Sequence, residues 1–330
     1  MVQQSRAGNV LKIVLCTVVL WPFAVACQDW KPETNVEIVI PSGPGSGLDT
    51  TGRTLQRFVL ENKLLSVTSS ILNKPGGGGT LAYLYLNQHP NNAHYLSITS
   101  PGVITNKMVG ASTIDFRDLT PLAQLFDENI AFMVLPDSKV KDVKALIALL
   151  KNDPTSVSFG IATALGGANH IATASALKFA GVDIRRLRNV VFKSGGEVTI
   201  ALLGGHVDVV PISAPVAVPL LQTGKVRVIA VSSAKRLTGA LAIAPTWREQ
   251  GIDSAYSTWR GVVGPKGLTK PEITYWDGVF GKLASLEDWK KGIEENLWVA
   301  NYLNSEQSKG FLEQQYKEHH SILRDLGMAK

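Results

Sequence analysis

The chain of 330 residues has only two cysteines, Cys16 and Cys27, both near its start. The folded part is therefore left without a disulfide framework. Charged residues make up 18% and aromatics 7%, and no cluster of Lys and Arg alternates with aromatic residues. That argues against a nucleic-acid partner. From residue 30 onward no apolar run approaches the roughly 18 residues of a membrane helix. The six histidines, His89, His94, His170, His206, His319 and His320, form no His-Glu-x-x-His zinc pair. There is no Gly-x-Ser-x-Gly nucleophile elbow and no glycine loop ending in Gly-Lys-Ser/Thr. No carboxylate pair is marked by its spacing. Neither a metal nor a cofactor is expected, and the pattern suits a clamp better than a reactor. No internal repeat or low-complexity tract is present.

The first 27 residues differ from the rest. Arg6 and Lys12 precede a mostly apolar stretch, Ile13 to Phe23, and Ala24-Val25-Ala26 is a small-x-small cleavage signal. Residues 1–26 read as a secretory signal peptide; the alternative is a buried N-terminal helix. Cleavage would make Cys27 the first residue. Ala-Val-Ala-Cys loosely fits the lipid-attachment pattern of bacterial lipoproteins, with Ala24 in place of the usual leucine, so both a lipid-anchored and a free form stay open. Either way an exported, periplasmic protein is expected. Losing Arg6 and Lys12 with the leader lowers the net charge of +6 by two, a mild positive balance that favours small acidic ligands.

Hydrophobic content of 45% over this length allows two domains. Strand-like runs at Val36–Ile40, Ser66–Leu72, Tyr95–Ser100, Ala131–Leu135, Ser156–Ile161, Asn189–Phe192, Val207–Ile212 and Val226–Ser232 alternate with helix-like segments. The helical segments are Leu48–Glu61, Thr80–Gln88, Val140–Leu150, Asn169–Ala180, Glu197–Leu203 and Ala217–Thr223. This alternation predicts α/β layers on parallel sheets. The last fifty residues read as helical. A capping box is expected at Ser285–Asp288, and Leu312, Tyr316, His319, Leu323 and Leu326 form one apolar stripe that makes His319 structural.

Three glycine-rich loops follow strands and precede helices. In Val39–Arg53, VIPSGPGSGLDTTGR, the backbone N–H groups of Gly43, Gly45 and Gly47 are unhindered, and a helix start adds its partial positive charge. Asp49 has two readings, a carboxylate stabilising the helix start or an acceptor for a ligand amine, and Arg53 is expected to pair with it at i,i+4. The second loop, Asn73–Thr80, NKPGGGGT, is either a tight connection or a ligand contact. The third, Phe159–Ala174, places Gly166 and Gly167 before a helix with His170 in its first turn. A histidine there stays neutral and either donates to a ligand carboxylate or holds a neighbouring carbonyl.

The same segments, in order, carry a specific similarity. Pro41, Pro44, Gly45, Asp49 and Arg53 are followed by Asn73 to Gly79, Asp115 to Leu122, Gly166 to His170 and Phe192 to Glu197. Gly204 to Asp208, Gly224 to Val231, Ala244 to Gly251 and Trp259 to Pro265 complete the series. Over roughly residues 28 to 330 the chain resembles the Bug family, the extracytoplasmic substrate-binding proteins of tripartite tricarboxylate transporters. The resemblance implies a periplasmic-binding-protein fold of two α/β lobes with a ligand cleft between them. Lobe 1 would comprise 28–125 plus 233–330, interleaved with lobe 2 at 126–232. It implies a small carboxylate or related organic anion as ligand, membrane permease subunits as partners, and a monomer. Family members also serve as ligand sensors for signalling systems, and a hydrolase or lyase using the same cleft is the rival class. The residues expected to bind ligand are Ser42, Gly43, Gly45, Ser46, Gly47, Asp49, Gly78, Ser100, Thr163, Gly166, Gly167, His170 and Asp208. Two departures fall at these loops: Ser46 stands where the family has glycine, and Gly167 where it has Ser or Thr.

Overall fold

The computed structural model describes residues 1–2 and 30–329. Residues 3–26 of the expected signal peptide and Cys27 lie outside the described residues. In chain order the elements are β1 (Val36–Ile40), α1 (Gly47–Glu61), β2 (Ser69–Asn73), α2 (Thr80–Leu86), β3 (Tyr95–Thr99) and α3 (Gly102–Met108). Then come the 16-residue β4 (Leu119–Val134), α4 (Val143–Asn152), β5 (Ser158–Ala162), α5 (Ala168–Phe179), β6 (Arg188–Phe192), α6 (Gly195–Leu203) and β7 (Val210–Ser213). The chain closes with α7 (Ala214–Gln222), β8 (Arg227–Val231), β9 (Ser257–Pro265), α8 (Lys270–Ser285), α9 (Glu287–Glu295), β10 (Val299–Leu303) and α10 (Ser305–Asp325).

One sheet runs β10-β4-β9-β3-β1-β2. In it β1 pairs in parallel with β2 and β3, whereas β9 runs antiparallel to β3 and β4. Helices cover both faces, so β1 is a nearly continuous apolar run, as a buried parallel strand should be. Its core joins Ile38, Leu55, Phe58, Leu96 and Phe126 to Trp276, Phe280 and Trp289 of α8 and α9. The strand β4 passes out of this body. Up to Asn129 it pairs with β9, and from Ile130 it pairs with β7 and β8. A second body forms there, with the parallel β5–β6 pair beside it and apolar clusters around Phe132, Phe159 and Trp247 and around Val198, Leu202 and Ile212. Where β4 enters the second body, Ser232 Oγ donates to the Tyr256 carbonyl at 2.6 Å and accepts from Ile130 N–H at 2.9 Å.

Three sequence expectations about elements are corrected. The C-terminal region is not wholly helical, because β10 pairs antiparallel with β4 and the preceding Trp298 stacks on Phe126 at 3.9 Å. Its five residues carry too little alternation to reveal an edge strand. No capping box forms at Ser285: its Oγ donates to the Lys282 carbonyl at 2.7 Å, and α9 has no side-chain cap. The nine-residue β9 went unassigned, since a strand flanked on both sides has no alternating pattern. Gly261 is required there, because a Cβ would lie 2.6 Å from the Ala123 carbonyl oxygen. The stripe on α10 is as read: Leu312, Leu323 and Leu326 are buried in a cluster that reaches Ala174 of α5. His319 is buried with Nδ1 2.9 Å from the Gln315 carbonyl.

Candidate functional site

The loop before α1 is held by its own residues. Ser46 is the N-cap of α1 and its hydroxyl accepts from Asp49 N–H at 3.1 Å, leaving the hydroxyl proton free to donate. Asp49 folds back on the loop, accepting from Gly45 N–H at 3.0 Å, Asn73 Nδ2 at 2.9 Å and Arg53 Nε at 3.0 Å. Burial alone would raise its carboxyl; the hydrogen bonds from Arg53, Asn73 and Gly45 outweigh that and hold it below the usual range. The Gly45 N–H is thus spent on Asp49, and its φ of +74° is one that valine or alanine would resist.

The α5 loop differs. Its N-cap, Gly167, has no side chain to cap with, so the first-turn N–H groups face outward unmodified. Thr163 adopts φ +72°, a strained conformation for a β-branched residue. Gly166 N–H donates to His170 Nδ1 at 3.1 Å. Burial pushes the His170 pKa down to about 4, so the ring is neutral and serves as an acceptor for its own loop.

Both loops line one cavity of about 50 Å³, enough for a few waters. Of the residues expected to bind, Ser42, Ser46, Gly47, Gly78, Ser100, Thr163 and Gly167 line it. Gly43, Gly45, Asp49, Gly166 and His170 do not line it, and Asp49 and His170 hold its loops through the Gly45 and Gly166 N–H groups. Asp208 lies outside it: its carboxylate accepts from Ser158 N–H at 2.8 Å and Oγ at 2.7 Å and pairs with Lys139 at 3.1 Å.

The wall also holds residues that sequence reasoning missed. Gly195 in the first turn of α6 and Ser213, the N-cap of α7, line it, so four helix starts converge on one cavity. The signal for α6 was in Phe192–Glu197, where Ser194 Oγ accepts from Glu197 N–H at 3.2 Å. Asn106 and Arg260 line it as well. Asn106 Nδ2 donates to the Gly78 carbonyl at 2.8 Å. Arg260, on β9, pairs with Glu128 of β4, whose other oxygen accepts from Ser213 Oγ at 2.9 Å. Arg260 is 5% exposed and Glu128 0%. Burial pushes the guanidinium pKa down to about 9, which leaves it a cation at neutral pH. No local pattern marked Arg260; it stands at a position that reads as the x of Trp-x-Gly.

The two bodies meet around this cavity through glycines. A Cβ on Gly47 would lie 2.7 Å from Ser213 Cβ, one on Gly195 3.2 Å from Ser46 Cα, and one on Gly196 2.9 Å from the Pro44 carbonyl oxygen. Backbone therefore approaches backbone across the cleft. Among the described residues no group of His, Cys, Asp and Glu could hold a metal ion, and no helix is long and apolar enough to cross a membrane.

A family model described as tripartite tricarboxylate transporter family receptor matches residues 55–328. The protein BugT of Bordetella pertussis is 27% identical over 257 residues, 76% of each chain. The solved periplasmic binding protein BugD is 22% identical with a TM-score of 0.81, covering 91% of this chain and 99% of that one. Rpa4515 of R. palustris, solved with adipate, is 22% identical with a TM-score of 0.82, covering 90% and 99%. The likeness to these two structures is one of fold, and the fold is the periplasmic-binding-protein fold of two α/β lobes.

Proposed function

The chain belongs to the tripartite tricarboxylate transporter receptor family, a family of solute receptors and not of enzymes, and from that premise we propose that it captures a small carboxylate in the cleft and presents it to a membrane permease. The observation that carries this reading is the convergence of the starts of α1, α5, α6 and α7 on one polar cavity. Helix starts expose N–H donors and a partial positive charge, which suits a carboxylate and needs no metal. The adipate bound to Rpa4515 supports the same ligand class.

In this reading lobe 1 is 28–125 with 257–330 and lobe 2 is 126–256, with crossings near Phe126 and Ser257; the return is set later than the expected Ser232 because Leu241, Trp247 and Tyr256 pack in the second body. The ligand is held by Ser42, Ser46, Gly47, Gly78, Ser100, Thr163 and Gly167. Gly43, Gly45, Asp49, Gly166 and His170 set the shape of the loops, and Asp208 is a clamp within the second lobe. The protein is exported, anchored or not through Cys27, and works as a monomer. A thermal-shift screen over small carboxylates tests the ligand class, because a ligand at about 100 times its dissociation constant adds about 2.7 kcal/mol to stability. The bound acid should be recovered unchanged by mass. No shift with any carboxylate, or conversion of one, would refute the reading.

A further inference from the structure

The loop Ser42–Asp49 contains no lysine or arginine, yet the cavity has a cation. Among the described residues lining it, Arg260 carries the only charged side chain. We propose that Arg260 contacts the ligand and sets the preference of the site for a carboxylate over its uncharged isostere; this rests on the carboxylate reading above.

Three observations support a ligand contact over a purely structural ion pair. First, the guanidinium is only partly anchored. One amino group meets Glu128 and the other lies 3.3 Å from the Trp259 carbonyl, while the buried Nε has no hydrogen-bond partner. A guanidinium has five N–H donors in a planar fork, and these contacts leave donors unassigned. Second, Ser42 Oγ and Asn106 Oδ1 are also buried without partners, and both residues line the same cavity. Buried polar atoms are nearly always paired, so three orphans around one small cavity point to a polar guest. Third, the charge sits at a helix start. A Cβ on Gly47, the first residue of α1, would lie 3.4 Å from the Arg260 amino group. The guanidinium and the α1 dipole thus act on the same place.

Glu128 is the positioning partner. It is wholly buried, does not line the cavity, and is itself held by Ser213 Oγ. The pair is neutral overall, so Glu128 draws part of the cation's pull away from an incoming anion. Removing the Glu128 charge should therefore strengthen carboxylate binding, and removing the Arg260 charge alone should weaken it most, because a bare buried carboxylate would then repel the ligand.

The test uses calorimetry on the full chain with succinate against succinamide and adipate against adipamide. In the double variant Glu128→Gln with Arg260→Gln, neither charge is left buried alone, and the acid-over-amide affinity ratio should fall by about tenfold or more, the scale of one charge-assisted hydrogen bond. Glu128→Gln by itself should raise that ratio. Circular dichroism and thermal unfolding establish that each variant is folded. An unchanged ratio in the folded double variant overturns the proposal and leaves the carboxylate reading standing. Should the double variant fail to fold, an unchanged or lowered ratio in Glu128→Gln overturns it equally. If the chain takes neither acid, the same comparison is made with the carboxylate that the thermal-shift screen shows to bind and its amide; a chain that takes no carboxylate overturns both readings together.

Discussion

Gly196→Ala separates closure of the cleft from stability of the fold. Gly196 lies in the first turn of α6 and has an ordinary helical φ, so alanine fits the backbone. Replacing glycine by alanine at such a position stabilises by about 0.4–1 kcal/mol through the unfolded chain. The new Cβ, however, would lie 2.9 Å from the Pro44 carbonyl oxygen, against an ordinary contact of 3.4 Å or more. Pro44 has little freedom to move. Its φ is fixed by its ring, and its loop is tied down by Gly45 N–H on Asp49 and by Asn73 Nδ2 on the Ser42 carbonyl at 2.9 Å. The remaining relief is to part the two bodies by about half an ångström. Overpacking of this size costs about 1–3 kcal/mol, felt only while the two bodies stand as close as they do here, which in a two-lobed receptor that opens without ligand is the bound state. At about 1.4 kcal/mol per decade, affinity for a carboxylate should fall by roughly fivefold to a hundredfold. Thermal unfolding without ligand should show a midpoint equal to wild type or raised by up to a few degrees, while calorimetry shows the weaker binding. Wild-type affinity in Gly196→Ala would mean that α6 and the Pro44 loop do not meet in the bound state.

Ser46→Ala should lower stability by about 1 kcal/mol in denaturant unfolding, because it removes the N-cap of α1. His170 titrates at about 4 when folded against 6.5 when exposed, so its neutral ring contributes stability in full above pH 6.5. As pH falls from there the unfolded chain takes up a proton that the fold refuses, and stability drops by up to about 1.4 kcal/mol per pH unit until pH 4. Unfolding of His170→Gln followed between pH 6.5 and 4.5 should show a shallower slope than wild type; an equal slope refutes the assignment. Leu323→Ala, at 0% exposure where α10 meets the core, should cost about 2–5 kcal/mol in denaturant unfolding.

Much of the architecture was legible because it is local. A glycine loop between a strand and a helix is a contiguous signal, and α1 and α5 start within a residue of where it placed them. The i,i+4 pair of Asp49 and Arg53 was legible for the same reason. Asp208 shows where local reading stops. Its motif suggested a ligand contact, but its acceptors are filled by Ser158 and Lys139, which the turn into β7 brings to it. His170 was left with two roles, donor to a ligand or holder of a neighbour. In the structure Nδ1 accepts from the Gly166 N–H and so holds the loop, not through a carbonyl as the second role had it, while the proton of the neutral ring stays on Nε2.

By itself the sequence determined where strands end in bare glycine loops, which helices start there, and which family the order of motifs belongs to, since these follow from neighbours along the chain. Only the tertiary structure decided what the cavity contains. β9 returns between β3 and β4 more than a hundred residues after either, and that pairing sets Arg260 beside Glu128 and against Gly47. The charge of the site thus depends on a long-range strand register, and no spacing within one segment encodes it.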